Sequence, residues 1–271
     1  MIKDKELVSI LVVSYNAEKF ILQTIKSCLN QTYQNIELLI LDNASSDKTV
    51  EILEKFNDAR AKIFRVGENL GPYAGLNFLL GQAKGEYIAI QDHDDIWFPE
   101  KIKKQIEFLA KNQQILACGT ETFYYYEKRE LLLLDECQGF VDFVNHTSLV
   151  FRNNGFRYNT DYVLADEYFE KKVLGRHGKI FCIGEPLTIH RIRNDGSNLS
   201  HTRFSFTKKN LKDFFEINGF GSKAILYIGS LFFVKYFSEK IVWLIINIVK
   251  IKSKKINKNE FTAKKAIKLI E

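Results

Sequence analysis

Glu86-Tyr87-Ile88-Ala89-Ile90-Gln91-Asp92-His93-Asp94-Asp95 is the stretch on which the fold turns. Its apolar, β-branched first half reads as a strand. Its end carries three carboxylates, and Trp97-Phe98-Pro99-Glu100-Lys101 follows, with Pro99 suited to the first turn of a new helix. The carboxylates therefore sit at the C-terminal end of a strand, where open α/β sheets bind ligands. Asp92 and Asp94 are two apart and share a side if the chain stays extended. Two carboxylates converging on one point suit a hard divalent cation that also holds phosphates. The same residues suit a solvated acidic turn with a helix N-cap, because Asp is a common loop residue.

The residues upstream favour the sheet. Val8 to Ser14 is nearly all apolar, as buried parallel strands are. Glu18 to Leu29 has apolar residues at helical spacing, and Ile36 to Leu41 is a second buried strand. It ends in Asp42-Asn43-Ala44-Ser45-Ser46-Asp47, whose Ser-Ser-Asp can cap the next helix. Ala61 to Val66 reads as a third strand, and Pro72 opens a helix that Gly85 closes. Strand and helix alternate through four strands, which predicts right-handed crossovers and a mostly parallel, Rossmann-like α/β sheet. The loops rich in Asp, Asn and Ser then share one edge. Neither GxGxxG nor GxxxxGK[ST] occurs, which argues against a dinucleotide or P-loop site.

Beyond residue 115 the pattern is less regular. Phe123 to Tyr126 and Leu131 to Leu134 read as strands, as do Asn145 to Arg152 and Lys179 to Ile183. Asp161 to Leu174 reads as a helix stopped by Gly175.

The chain has 271 residues, is 46% apolar and carries a net charge of +6. That charge is uneven: residues 203–271 hold 15 Lys/Arg and 5 Asp/Glu, whereas residues 1–202 hold 24 and 28. An acidic body with a basic tail predicts an anionic partner for the tail. Cys28, Cys118, Cys137 and Cys182 show no CxxC spacing, so buried free thiols are expected, and with them a reducing, cytosolic compartment. The first apolar run is short and ends in Ser14-Tyr15-Asn16, so it reads as a strand, not a signal peptide.

Three segments, taken in order, carry a family resemblance. Val8 to Asn16 resembles the opening strand of family 2 glycosyltransferases, which have the GT-A fold. Gln31 to Asp47 is similar to their second strand and base-binding loop. Asn69-Leu70-Gly71 and Gly85 to Asp95, with Trp97, Pro99 and Lys101, resemble the segment around their DxD motif. The likeness is continuous over residues 7–104 and weaker over 140–200. It implies a metal-dependent, inverting transfer of sugar from a nucleoside diphosphate, in cell-surface polysaccharide synthesis. Tyr15, Asp42 and Asn43 would meet the base, although the family often has Asp-Asp where this chain has Asp42-Asn43. Asp92 and Asp94 correspond to the DxD pair; Asp94, with Asp92, would hold Mn2+ or Mg2+, and Asp92 would also contact the donor. His93 is not expected to be a ligand, and Asp95 is expected to cap the following helix.

The resemblance also implies a carboxylate base at the start of a later helix. Asp166 takes that role, with Glu167 as the alternative. Asn145 to Ser148 resembles the acceptor-pocket lining, where His146 is either an acceptor contact or a structural residue. His190-Arg191-Ile192-Arg193 resembles a late Tyr-Arg-x-His segment that closes over the diphosphate, so Arg191 is expected to bind the donor.

Residues 1–202 are thus expected to form the GT-A domain, with a nucleotide-sugar half (1–115) and an acceptor half (116–202). Residues 203–271 are expected to form a basic, amphipathic helical extension. Its apolar runs, Ala224 to Val234 and Ile241 to Val249, are too short to span a bilayer. Joined, they would lie in the interface, with Lys250, Lys252, Lys254, Lys255 and Lys258 on anionic lipid. The expected partners are a nucleoside-diphosphate sugar, a glycan or lipid-linked acceptor and an anionic membrane surface, not nucleic acid. The expected setting is cytoplasmic and peripheral at the inner membrane face. A helical cap on the catalytic domain or a dimer contact is the other reading of the tail. The rival activities are a non-catalytic nucleotide-binding scaffold and a nucleotidyltransferase; Ser14 to Glu18 lacks the glycine- and arginine-rich loop of the latter.

Overall fold

A computed structural model describes residues 6–193, 208–219, 253–255 and 261–270. The chain runs β1 (Val8–Ser14), α1 (Ile21–Leu29), β2 (Ile36–Asp42), α2 (Thr49–Glu54), β3 (Ala61–Arg65), α3 (Pro72–Gln82) and β4 (Tyr87–Asp92). These four strands are parallel and lie in the order β4-β1-β2-β3. The apolar run of β1 has a simple cause, because both faces are buried. Val8, Ile10 and Val12 pack into one core with Ile21, Ile25 and Cys28 of α1. Leu11 packs into the other with Leu76, Leu79 and Leu80 of α3. Two helical layers thus sandwich the sheet, and each fully buried Ile or Leu contributes about 1.5–3 kcal/mol.

The second half differs in kind. After β5 (Ile96–Trp97) and α4 (Lys101–Lys111) come β6 (Ala117–Tyr126), β7 (Leu131–Asp135), β8 (Gly139–Val141) and β9 (Val150–Arg152). β9 inserts antiparallel between β4 and β6. It is shorter than the strand expected at 145–152, because His146–Ser148 forms a 3-10 turn whose Thr147 N–H is capped by Asn145. The helix expected over 161–174 is broken: α5 (Ala165–Tyr168) is followed by a π turn at Phe169–Val173 and a 3-10 turn at Leu174–Arg176. π turns often mark functional sites. β10 (Ile180–Ile192) runs parallel to β6 past a bulge near Pro186 and reaches back antiparallel to β5.

Two expectations are corrected. Cys137 and Cys182 form a disulfide that ties the segment after β7 to β10, and only Cys28 and Cys118 are free. The pairing spans 45 residues and is made by the β8–β10 ladder, which spacing alone does not reveal. It removes the premise from which a reducing compartment was inferred. Second, the extension is not uniformly helical: Ser253–Lys255 pairs antiparallel with β7. The helix Lys208–Asn218 packs against Leu164, and the helix Phe261–Ile270 packs against Ile96, Phe98 and Phe123. The runs 224–234 and 241–249 lie outside the described residues, as do Ser197 to Ser200. No helix among the described residues is long and apolar enough to cross a membrane.

Candidate active site

Sheet register builds the site. Ser14 lies beside Asp42, and Val13 beside Asp92, so the ends of β1, β2 and β4 are level. Tyr15, one residue past β1, is 42% exposed and open to a planar ligand. Asp42 is buried; its Oδ2 accepts from Ser45 N, whereas Oδ1 has no hydrogen-bond partner among the described residues. A buried acceptor without a donor is costly unless a ligand supplies one. Asn43 is different. Its amide donates to Asn69 Oδ1 and Gly71 O and accepts from Leu70 N, so it fastens the Asn69–Gly71 loop to the end of β2. Gly71 takes φ +80° there, a conformation that side chains resist.

The turn after β4 gathers the charge. The Asp92 and Asp95 carboxylates and the His190 ring lie within 4.8 Å of one another. Asp95 does not cap α4 as expected. It accepts from His190 Nδ1 at 2.8 Å and from Arg191 N at 2.8 Å, because β10 crosses beside the turn. Burial lowers the His190 pKa, but the Asp95, Asp92 and Asp94 carboxylates outweigh it and carry His190 to about 9. Burial, then Asp95 and Asp94, push Asp92 up to about 8. Three carboxylates crowd this turn, and the Asp92, Asp95 and His190 groups face one point. These residues fit a divalent cation. Asp94 has another neighbour: its Oδ2 lies 3.0 Å from Arg193 Nε. His93 Nδ1 meets Val13 O at 3.2 Å.

Arg191, expected on the diphosphate, is turned to the protein. It donates to Asp94 O, Glu127 and Gln23. Period-two alternation puts Arg191 and Arg193 on one side of the strand and His190 on the other, a signal available in the sequence.

Asp166 stands at the start of α5, 8% exposed, and accepts from Glu167 N at 2.8 Å. Its charge is felt at Asp92 and at Tyr158, raising both. Glu167 is committed elsewhere, to Lys171 Nζ at 2.6 Å and Asn218 Nδ2 at 3.1 Å. His146 Nε2 pairs with the Tyr158 hydroxyl at 2.8 Å, and Tyr73 stacks on Tyr158. Thr147 ties this wall to β4 through Gln91, and its carbonyl accepts from Trp97 Nε1 at 2.8 Å. Sequence reading missed Gln91, Thr147 and Gln23, whose partners lie 56, 50 and 168 residues away.

A family model described as Glycosyl transferase family 2 matches residues 9–178. Among curated proteins, the Escherichia coli enzyme UDP-Glc:alpha-D-GlcNAc-diphosphoundecaprenol beta-1,3-glucosyltransferase WfaP is 39% identical over 123 residues, 45% of this chain and 48% of its own. The matches span about half the length of most curated relatives. Residues 1–349 of S. aureus TarS, solved with UDP-GlcNAc, superpose at TM-score 0.61 and 18% identity over 88% of this chain and 70% of that one. The mannosyltransferase PcManGT of Pyrobaculum calidifontis, solved with GDP-Man and Mn2+, superposes at 0.62 and 12% identity over 97% and 83%. At such identities the two structures speak to fold alone.

Proposed function

The chain belongs to glycosyl transferase family 2, with the GT-A fold, and from that premise we propose a metal-assisted transfer of sugar from a UDP- or dTDP-sugar to a hydroxyl of a glycan or lipid-linked acceptor. The product would feed surface polysaccharide, a reading supported by the diphosphoundecaprenol-linked acceptor in the name of WfaP. The observation that carries this reading is the convergence of the Asp92 and Asp95 carboxylates and the His190 ring within 4.8 Å at the C-terminal edge of the parallel strands. Asp166 opens a helix of the second half, and its charge adds, as the least of several causes, to those that raise Asp92 at the end of β4.

Asp42 Oδ1, a buried acceptor without a donor among the described residues, suits the N3–H of uracil or thymine. Tyr15 would stack on the base. Asn43 would act indirectly, by holding the Asn69–Gly71 loop. Asp92, with Asp94, Asp95 or His190, would hold Mn2+ or Mg2+, which supplies charge to neutralise the departing diphosphate. Arg193, beside Asp94 just past β10, would add a cation there. Asp166 would take the proton of the acceptor hydroxyl as it attacks the anomeric carbon, with inversion. Because Glu167 already binds Lys171 and Asn218, Asp166 is the better base. His146 and Tyr73 would wall the acceptor side. The basic tail, with a net charge of +10, would rest on an anionic membrane surface at the inner, cytoplasmic face.

The test is thermal stability with Mn2+ against UDP, dTDP, GDP and CDP, since a ligand that binds the native state raises Tm. A metal-dependent shift with UDP or dTDP, lost in Asp94→Ala and kept in Asp166→Asn, is expected. No shift with any nucleotide would overturn the reading.

A further inference from the structure

We propose that Gln23 and the helix Phe261–Ile270 form a positioning strap that holds the Asp92–Asp95 turn in its binding shape. The inference rests on the reading of that turn as the donor site. The helix lies outside the family match, which ends at residue 178. Three groups hold the turn from behind. Thr24 Oγ1, on α1, reaches His93 O at 2.9 Å and Asp95 O at 3.0 Å. Gln91 Nε2 donates to Asp95 O at 2.8 Å. Arg191 Nε donates to Asp94 O at 3.0 Å, and Arg191 N to Asp95 Oδ1 at 2.8 Å.

Arg191 must itself be aimed, and Gln23 does this from the neighbouring position on α1. Gln23 Oε1 accepts from Arg191 Nη2 at 2.9 Å. The other end of the same amide donates to Leu269 O at 2.9 Å and Ile270 O at 3.0 Å. The last carbonyls of a helix have no partner inside the helix, so they accept an outside donor readily. The amide has one orientation that serves both neighbours, oxygen to the guanidinium and nitrogen to the carbonyls. The helix is fixed where it passes the turn. Ala266 is buried with Ile96 and Phe98, and Lys265 reaches both oxygens of Glu100 at 3.1 and 3.2 Å. An unbroken path thus runs from the carbonyls of 269 and 270 through Gln23 and Arg191 to the backbone of Asp94.

The test uses the full chain in three variants. Gln23→Leu removes both links. Gln23→Glu keeps an acceptor for Arg191 but sets a carboxylate against the helix carbonyls. Leu53→Val, on the buried face of α2, controls for lost stability. Two readouts are made: calorimetric affinity for UDP and dTDP with Mn2+, and hydrogen exchange of the amides of residues 92–97. Both Gln23 variants are expected to bind about tenfold more weakly, the effect of one or two hydrogen bonds, and to exchange faster over 92–97. The control is expected to match wild type in both. Gln23→Leu matching the control would overturn the strap. Gln23→Glu matching wild type would overturn the helix's part in it. If wild type itself binds neither nucleotide, the donor-site reading fails, and exchange still decides whether the strap holds the turn.

Discussion

Lys101 puts its amine in the core with no hydrogen-bond partner among the described residues. It lies 3.8 Å from the centre of the Trp97 ring, with the thiols of Cys28 and Cys118 nearby. Burial lowers its pKa from 10.5 to about 7. A lysine whose folded pKa is depressed costs stability whenever the unfolded chain would be protonated. The cost is complete below pH 7, shrinks from pH 7 upward and vanishes above 10.5. Lys101→Met is therefore expected to raise stability at pH 7 by about 1–3 kcal/mol, with the gain fading toward pH 10. Denaturant melts across that range check it; a variant less stable at every pH would mean that the Trp97 contact outweighs desolvation. At Asp166 the expectation is kinetic. Asp166→Asn should cut turnover by about a hundredfold to ten-thousandfold while leaving nucleotide affinity within about twofold. Glu167→Gln should spare turnover and cost less than about 1 kcal/mol, since its ion pair is only partly buried. Equal losses at both positions would mean that the base is misassigned. The placement of Asp42, Asp92 and Asp166 at element ends was legible, because each carboxylate closes or opens a patterned run. The pairs Asp95–His190 and Asp94–Arg193 were not, because a later strand supplies the second member.

At the scale of elements, β1 to β4 were legible because each buried run has one role and short connections leave one topology. Gly85 shows the precision this demands. A Cβ there would lie 2.6 Å from Ser9 N and 2.7 Å from Leu7 O, backbone atoms at the entry to β1. Gly85→Ala is expected to cost about 1–3 kcal/mol, read as a lower denaturant midpoint; an unchanged midpoint would show that the β1–β4 edge yields freely. Past residue 115, elements are defined by distant partners. The strand read over 145–152 shrinks to β9 between β4 and β6, and α5 gives way to a π turn whose buried Glu170 receives Val144 N. The disulfide belongs to the same class. Thiol labelling of unfolded, unreduced protein should find two thiols, Cys28 and Cys118, and four after reduction. Four from the start would mean that Cys137 and Cys182 stay reduced in the isolated protein.

For the molecule as a whole, charge is the feature with most reach. Residues 1–202 carry a net of −4 and residues 203–271 a net of +10. An acidic body alone would be repelled by anionic lipid, so binding would depend on the tail. Each Lys or Arg near such a surface contributes about 1 kcal/mol, and the attraction decays over about 8–10 Å at physiological salt. The protein is therefore expected to co-sediment with vesicles of phosphatidylglycerol and phosphatidylcholine at low salt, and not with phosphatidylcholine alone. Raising salt to about 0.5 M should release most of it if charge dominates. Retention at high salt would point instead to burial of apolar groups such as Tyr227, Phe232 and Trp243. Failure to bind anionic vesicles at low salt would remove the membrane partner and leave the tail as a contact for protein. The strap separates these cases, because Phe261–Ile270 already binds the body through Lys265 and Gln23. Replacing Lys250, Lys252 and Lys258 by Gln should then weaken vesicle binding without altering nucleotide affinity, since none of the three belongs to the path from Gln23 to Asp94.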